Sequence, residues 1–386
     1  MSTPYLFILG RTPDLSFAEI TSTYPDFKIT SLHPRVIKVD DLNSLVSSDV
    51  ITTLGGTIKI GKIIDSVPSI TAEILATCLI QASREQSIVF GVSSFTDSIR
   101  ITRELLSEIK KILEATGRHV RFIEPKEGSE LTSVVVEKQH VTELLIAQAD
   151  NRYIVAMTDV VQDFEEWNKR DYGRPYADPK SGMLPPKVAR MAVNLVGESK
   201  VKSQKSKVLL DPFCGMGTIL SEALLRGWQI IGSDQSQEVL VKARKNIDWL
   251  KTICPQVSDV PCEFITEEAT HIGKHMKHGS IDAIVTEPFM GSQDQRLDAG
   301  KVKNVIKGLE KLYIGCFKEW YNIIKPNGVI VIALPEYVNK DKVISVKKVV
   351  DNCENLGYTR LIGPITYSRP HAVVRRNFYV FRKLVT

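Results

Sequence analysis

Long hydrophobic runs are missing from this sequence of 386 residues. No apolar run approaches the roughly 18 residues that a membrane-spanning helix requires. The apolar stretch Tyr5–Leu9 is too short for a secretory signal sequence and has no basic leader before it. It predicts a first buried strand instead, and we expect a cytoplasmic protein with no membrane partner.

Cysteine is scarce and scattered, because the six cysteines include no Cys-x-x-Cys pair. This pattern argues against a disulfide scaffold and favours a reduced cytosolic chain. His271, His275 and His278 would share one face of a helix, where three imidazoles could bind zinc. No cysteine lies close by and glycine interrupts the stretch, so we expect a solvated surface helix and no metal.

A strong charge imbalance is also absent, since 50 basic residues face 45 acidic ones. The net charge of +5 permits a polyanionic partner without requiring one. An apolar content of 43% and a charged content of 25% are typical of soluble globular proteins. The length predicts two or three domains.

Residues 207–220 carry the most informative pattern of the chain. They predict a buried strand, a glycine-rich turn and an amphipathic helix that begins near Thr218. Gly215 and Gly217 let the backbone turn tightly beside a ligand. The third glycine of a pyrophosphate fingerprint is missing, because Leu220 stands in its place. Asp211 would repel a diphosphate, so the turn suits a cationic ligand such as the amino-acid end of S-adenosylmethionine.

The next predicted strand, residues 228–233, ends in a second acidic residue, Asp234. In nucleotide-binding α/β folds, an acidic residue at this position binds ribose hydroxyls. Because ligands lie beyond the carboxyl ends of parallel strands, we expect Asp211, Gly215, Gly217 and Asp234 to line one pocket.

Several motifs together resemble a known family. Asp-Pro-Phe-Cys-Gly-Met-Gly-Thr from Asp211, Gly-Ser-Asp from Gly232 and the basic helix from Val241 are similar to the methyltransferase domain of THUMP-containing tRNA guanine-N2 methyltransferases. Arg-Asp-Tyr-Gly-Arg-Pro from Arg170 and Met-Leu-Pro-Pro-Lys from Met183 resemble the segment that precedes this domain. The resemblance covers most of the chain and is strongest over residues 160–246.

The resemblance implies an enzyme that uses S-adenosylmethionine and acts on tRNA. It implies that Glu268 and Ala269, after the third strand of the domain, contact the adenine of the cofactor. Glu268 could equally be a residue of a surface helix. The resemblance leaves open whether the protein acts as a monomer or with a small accessory subunit. It adds four further residues to the cofactor site: Phe213, Cys214, Thr218 and Gln235.

Residues 286–291, Thr-Glu-Pro-Phe-Met-Gly, occupy the position of the family's catalytic tetrapeptide, which is Asp or Asn followed by Pro-Pro-Tyr. In the family, the first residue accepts a hydrogen bond from an exocyclic amine and the aromatic ring stacks on the flipped base. The resemblance assigns these catalytic roles to Glu287, Pro288 and Phe289, and places Glu287 beside the cofactor as well. The departures at Glu287, Phe289 and Met290, and the occurrence of the tetrapeptide in other amino-methylating enzymes, keep one alternative open each. One is an inactive RNA-binding homologue, and the other is an enzyme that methylates amino groups of DNA or protein.

The resemblance and the alternation of strands and helices predict an α/β protein. Residues 1–165 would form an α+β ferredoxin-like and THUMP region that holds RNA, and residues 166–182 a hinge. Residues 183–386 would form a seven-stranded Rossmann-like methyltransferase domain. In the first region, a basic set could contact phosphates, with an ordinary solvated face as the alternative. Its members are Arg118, His119, Arg121, Lys126 and Lys138.

Three local patterns add expectations about single elements. Ser16 could cap the first helix. Residues 133–137 are rich in valine and predict a strand. Residues 343–356 predict a helix.

Three polar or basic segments predict connections between elements. Residues 160–178 predict a hinge, whose Arg-Asp-Tyr-Gly-Arg-Pro motif is either a packed linker or a segment near the target base. Residues 199–206 predict a flexible surface loop. Residues 369–376 predict a basic hairpin tip, which either contacts RNA phosphates or only increases surface solubility.

Overall fold

The structure is a computed structural model and describes residues 3–178, 183–197, 207–291, 299–339, 342–369 and 372–385. The chain forms two compact units. The N-terminal unit comprises Met1–Phe17 and Pro25–Glu166, and the C-terminal unit comprises Ala18–Tyr24 and Trp167–Thr386. Within the described ranges, no helix is long and apolar enough to cross a bilayer. The loop predicted at residues 199–206 lies outside the described residues.

The N-terminal unit is built on one mixed sheet. Its described strands are β1 (Tyr5–Leu9), β2 (Ile29–His33), β3 (Val36–Val39), β4 (Thr57–Val67), β5 (Ser87–Ser94), β6 (His119–Ile123), β7 (Thr142–Ala149) and β8 (Arg152–Val161). They lie in the order β2-β3-β1-β4-β8-β7-β5-β6. Strand β5 runs parallel to β6 and β7, and β7 pairs antiparallel with β8. The helices along this stretch are α1 (Pro13–Thr23), α2 (Ser47–Thr53), α3 (Ala72–Ala82), α4 (Arg103–Glu114) and α5 (Ser133–Lys138).

Helices α3 and α4 cover one face of this sheet. Leu79 of α3 and Ile109 of α4 are fully buried in one cluster with Phe90 of β5. A threonine caps each helix, because the side chains of Thr71 and Thr102 accept a hydrogen bond from a backbone N–H of the first turn. Burial of the two apolar faces therefore builds the core of this unit.

The predicted strand at residues 133–137 is wrong, because these residues form helix α5. The Thr132 side chain accepts a hydrogen bond from the Val135 N–H at 3.3 Å and so caps the helix. Val136 packs against Leu131 and Val141 in a small apolar cluster. Burial and the cap outweigh the strand propensity of the valines.

The cap expected for the first helix is also wrong. Helix α1 begins at Pro13, a residue that suits the first turn, so Ser16 lies inside the helix and does not cap it. Within the segment predicted as a hinge, β8 continues to Val161 and a sixth helix, α6, spans Phe164–Tyr172, and the hinge itself stays a prediction. The Asp163 side chain accepts hydrogen bonds from two N–H groups of its first turn, each at 3.0 Å.

The C-terminal unit is built on a sheet whose first five strands are parallel. Its described strands are β9 (Val208–Asp211), β10 (Gln229–Asp234), β11 (Cys262–Thr266), β12 (Ile281–Thr286), β13 (Ile324–Asn339), β14 (Lys342–Ser345), β15 (Tyr358–Tyr367) and β16 (Val374–Lys383). The order is β11-β10-β9-β12-β13-β16-β15, with β14 paired to β13 off this path. The predicted seven-stranded Rossmann-like sheet with a closing antiparallel hairpin is therefore confirmed. Its helices are α7 (Pro186–Asn194), α8 (Thr218–Leu225), α9 (Gln237–Ile253), α10 (Ala299–Ile323) and α11 (Lys348–Asp351).

The helix predicted at residues 343–356 is wrong over its first part. Strand β13 extends to Asn339, and Val343 of β14 pairs with Val338 of β13. Only the short helix α11, with Val349 buried, and a single 3-10 turn follow. The last residues of β13 offer unpaired backbone groups to residues 342–345, and this pairing outweighs the local helical pattern.

Candidate active site

A cavity of about 740 Å³ lies beyond the carboxyl ends of β9, β10, β11 and β12. This is the edge at which open α/β sheets bind their ligands. All the predicted cofactor and catalytic residues line it except Gly217. They are Asp211, Phe213, Cys214, Gly215, Thr218, Asp234, Gln235, Glu268, Ala269, Glu287, Pro288 and Phe289.

Asp211 is a buried acid in the wall of the cavity, with 1% of its surface exposed. Its Oδ1 accepts hydrogen bonds from the Thr286 hydroxyl at 2.7 Å and from the Phe213 N–H at 3.2 Å. Burial, together with the charges of Asp234 and Glu287, raises the pKa of Asp211 to about 7, although the hydrogen bonds from Thr286 and Phe213 act to lower it. Three carboxyl groups around one cavity favour a ligand with positive charge.

The glycine-rich turn is held against the second acid. Gly215 and Gly217 have φ angles of +50° and +82°, in the left-handed region that favours glycine. The Gly215 N–H donates to Asp234 Oδ2 at 3.3 Å, and the Ser236 N–H donates to Asp234 Oδ1 at 2.9 Å. Gly217 lies behind the cavity wall, where a Cβ would lie 3.6 Å from the side chain of Ala243. Gly217 therefore shapes the turn and the start of α8.

The Arg-Asp-Tyr-Gly-Arg-Pro motif supports this turn from behind. Arg170 Nε donates to Glu222 Oε1 at 2.9 Å, and Arg174 Nη1 donates to Thr218 Oγ1 at 2.9 Å. Among the described lining residues of the cavity, neither arginine appears, whereas Asp178 does. Of the two readings left open for this motif, the contacts favour the packed linker.

Glu287 follows β12 and forms an ion pair across the sheet with Arg376 of β16. Arg376 Nε donates to Glu287 Oε1, and Arg376 is 6% exposed. Burial raises the pKa of Glu287, whereas the charges of Arg376 and Arg369 act to lower it. The prediction of a basic surface tip is therefore wrong for Arg376. The register of β16 against β13 pairs Arg376 with Pro335 and brings its side chain to the cavity acid.

Two tyrosine hydroxyls hold the backbone after Pro288. Tyr313 of α10 donates to the Phe289 carbonyl oxygen at 2.6 Å, and Tyr337 of β13 donates to the Met290 carbonyl oxygen at 2.8 Å. The Phe289 side chain is 63% exposed, whereas Met290 is buried. An aromatic face is thus presented at the cavity, although one position earlier than in the resembled family.

Of the two readings given to Glu268, the structure favours a position at the cavity over a place in a surface helix. Glu268 lines the cavity, is exposed and lies 3.5 Å from the imidazole of His271. Glu268 precedes a turn and does not lie in a helix, and the surface helix expected at the three histidines is reduced to a single 3-10 turn, Ile272–His275. His275 pairs with Glu267 at 3.1 Å. Among the described residues, no cluster of His, Cys, Asp and Glu could hold a metal ion.

Sequence reasoning missed the residues that hold the segment from Glu287 to Met290 in place. Arg376 lies 89 positions after Glu287, so no local spacing connects the two. The hydroxyl groups of Tyr313 and Tyr337 reach the motif from a helix and a strand that follow it. The sequence offered one signal for Arg376, because this arginine stands just before the apolar run Phe378–Phe381 of β16.

Comparison with known proteins supports this architecture. Residues 203–371 match a family model described as a methyltransferase domain. The crystal structure of TrmN from Thermus thermophilus aligns with a TM-score of 0.55 and 14% identity, covering 99% of this chain and 100% of that one. The C-terminal unit has a Rossmann-like methyltransferase fold. At that identity, the structural likeness shows the fold alone.

Two curated proteins named tRNA (guanine(10)-N2)-dimethyltransferase are similar in sequence to part of this chain. The one from Methanothermobacter thermautotrophicus is 31% identical over 196 residues, which cover 50% of this chain and 51% of that protein. The one from Pyrococcus abyssi is 26% identical over 220 residues, which cover 56% of this chain and 54% of that protein. The chain thus spans about half the length of the curated relatives it matches.

Proposed function

We propose that this protein is an S-adenosylmethionine-dependent RNA methyltransferase whose target is an exocyclic base amine, guanine N2 in tRNA. The cavity carries the proposal, because it combines buried Asp211 beside a glycine-rich turn with Glu287 and the exposed ring of Phe289. A cationic nucleoside cofactor and a flipped base require these two sets of groups next to each other. The printed names of the two relatives support guanine N2 in tRNA as the target.

The cavity suits S-adenosylmethionine in size and charge. Its volume of about 740 Å³ falls within the roughly 300–1,000 Å³ of small-molecule sites. Asp211 offers a carboxylate to the cationic part of the cofactor, and Asp234 at the end of β10 is available to ribose hydroxyls. Glu268 and Ala269 border the side on which an adenine would lie.

The residues after β12 orient the amine of the base. When bound, S-adenosylmethionine supplies a methyl carbon that takes the electron pair of the amine nitrogen while the carbon–sulfur bond breaks and leaves its electrons on sulfur. Glu287 accepts a hydrogen bond from the amine and so turns the nitrogen lone pair toward that carbon. Phe289 stacks on the flipped base. The proton that the amine loses passes to water.

The N-terminal unit holds the RNA in this proposal, in the manner of a THUMP region. His119 and Arg121 lie on the edge strand β6 and are exposed. Arg121 donates to the Gln139 side chain at 3.3 Å, which brings it close to Lys138 at the end of α5. Lys126 is exposed just after β6. A basic edge of this kind supports sequence-independent phosphate contacts.

Helix α10 adds a second cationic surface, close to the cavity. Its two acids are engaged, since Glu310 is buried and Glu319 accepts a hydrogen bond from the Gly273 N–H at 2.9 Å. Leu312 of the same helix lines the cavity. Exposed residues on the turns before Leu312 can therefore contact an RNA backbone that passes the cavity. We call three exposed lysines at successive turns the α10 lysine face: Lys303, Lys307 and Lys311.

Radiolabelled methyl transfer to an unmodified tRNA transcript tests this function. We expect incorporation with the wild type and a loss on the order of 10²-fold or more with Glu287→Ala, because the amine loses its orienting acceptor. Glu287→Gln keeps a carbonyl acceptor and should retain part of the rate. Glu263→Ala, an exposed glutamate on β11, is the matched control and should match the wild type.

The inactive-homologue alternative makes a different prediction for the same assay. It predicts that the wild type and Glu287→Ala bind S-adenosylmethionine and tRNA but transfer no methyl group. That outcome would overturn the proposed function.

A further inference from the structure

Glu287 and Arg376 form a buried pair at the wall of the cavity. Glu287 is one methylene longer than the Asp that occupies this position in the resembled family. Its Oε1 accepts a hydrogen bond from Arg376 Nε, while its side chain keeps 17% of its surface exposed and lines the cavity. No described residue donates a hydrogen bond to Oε2. One oxygen is therefore held by the protein, and the other remains available to a ligand.

We propose that Arg376 is the positioning residue of Glu287, because it holds one carboxylate oxygen and directs the other to the amine of the target base. The inference rests on the methyl transfer proposed above. It gives a reason for the longer acid, since the added methylene spans the gap to an arginine on β16. Glu287 and Arg376 are then one unit, in which neither residue works without the other.

The backbone next to Glu287 has little freedom to compensate for a change in side-chain length. Tyr313 and Tyr337 hold the carbonyl oxygens of Phe289 and Met290. Gly291 has a φ of +80°, and a Cβ there would lie 2.4 Å from the Tyr337 hydroxyl. A shorter acid at position 287 therefore loses its hydrogen bond either to Arg376 or to the amine of the base.

The charges around Glu287 make its ionisation depend on Arg376. Arg376 of β16 and Arg369, after β15, lower the pKa that burial raises. The charge of Glu287 in turn raises the pKa of Asp211, at the end of β9, and that of Tyr313 on α10. Only the ionised carboxylate leaves one oxygen as an acceptor for Arg376 and the other as an acceptor for the amine. Loss of Arg376 should thus raise the pKa of Glu287 and favour the inactive protonated form.

The experiment compares single-turnover methyl transfer to tRNA by four proteins across pH: wild type, Glu287→Asp, Arg376→Lys and Arg376→Gln. Glu287→Asp should be slower by on the order of 10²-fold, although it restores the residue of the resembled family. Arg376→Gln should lower kcat and move the acidic limb of the pH profile to higher pH. Arg376→Lys keeps the charge and should recover part of the rate and of the wild-type pH profile.

Three controls separate positioning from folding. Calorimetric S-adenosylmethionine binding and thermal melting should show that each variant is folded. The uncharged pair Glu287→Gln/Arg376→Gln leaves no lone buried charge, so it should be folded and still slow. Arg375→Gln changes the neighbouring arginine, which is 41% exposed and lies 3.8 Å from Glu336, and should leave rate and pH profile unchanged.

Two results would overturn the positioning role while the proposed function stands. They are a folded Arg376→Gln variant with wild-type rate and pH profile, and a Glu287→Asp variant as fast as the wild type. A wild type that transfers no methyl group would instead overturn the proposed function, and the positioning role with it.

Discussion

Each of the two units contains a buried ion pair, and the two pairs have different surroundings. In the N-terminal unit, Lys59 and Glu143 are joined at 2.5 Å with side chains that are 1% and 0% exposed. Ser93 and Thr158 donate to the two oxygens of Glu143 at 2.5 and 2.6 Å. Lys59 also donates to the Leu131 carbonyl oxygen at 2.7 Å. Both partners are thus enclosed and satisfied by the protein itself.

In the C-terminal unit, the pair of Glu287 and Arg376 borders a cavity and engages only one oxygen of the acid with a described residue. A fully satisfied pair supports packing of the surrounding strands, whereas a partly satisfied one keeps an acceptor for a ligand. A carboxylate oxygen without a described protein partner therefore distinguishes a pair that can bind a ligand from a pair that only supports packing. Mutations of the two pairs test this distinction.

The largest expected effect is on stability and comes from Lys59→Met. Glu143 would be left buried without its cation, so we expect a loss of about 3–5 kcal/mol in the free energy of unfolding of the N-terminal unit. Chemical denaturation measures this loss. Lys62→Met on the same strand is the control, because Lys62 pairs with Asp159 while 46% exposed, and it should cost at most about 1 kcal/mol. Reduced methyl transfer per folded Lys59→Met molecule would break the distinction between the two pairs.

The next effect concerns the cavity and tests whether Phe289 binds the target base. Phe289→Ala removes the exposed ring at the cavity, so capture of the target base should weaken by about 1–3 kcal/mol, seen as a higher KM for tRNA. S-adenosylmethionine affinity should stay the same in calorimetry. Leu361→Ala, another exposed apolar residue, is the control. An unchanged KM for Phe289→Ala would remove the stacking role.

The two units also show which features of the fold and of the candidate site can be predicted from the sequence. The strand, turn and helix around Gly215 follow from local signals, because each residue acts on its immediate neighbours. Residues 133–138 do not, since their valines favour a strand while the Thr132 cap and the burial of Val136 produce a helix. Arg376 could not be placed either, because the register of β16 that brings it to Glu287 is set by the whole sheet.

A smaller effect concerns pH and the cofactor. Because the pKa of Asp211 is raised to about 7, the acid is mostly protonated below pH 7 and attracts a cation less strongly. S-adenosylmethionine affinity should fall by up to about tenfold per pH unit below 7 and level off above it. Calorimetry between pH 6 and 8 measures this change, and Asp211→Asn should flatten the dependence. Equal wild-type affinity at both ends of that range would contradict the role given to Asp211.

The smallest expected effect concerns the α10 lysine face. Replacing its three lysines with glutamine should reduce tRNA affinity a few-fold and reduce the slope of log affinity against log salt by about 0.7–0.9 per lost phosphate contact. A salt titration of tRNA binding measures both. The matched control replaces three other exposed lysines of the same unit, and equal slopes for the two triple variants would remove the role of this face. The control lysines are Lys274, Lys277 and Lys318.

Methyl transfer by the cavity is tested most directly by mass spectrometry of nucleosides. An unmodified tRNA transcript is incubated with the protein and S-adenosylmethionine that carries a deuterated methyl group. The account predicts labelled N2-methylguanosine with the wild type and almost none with Glu287→Ala. A label on another base or on the ribose, or no labelled nucleoside from a protein that binds both tRNA and cofactor, would contradict it.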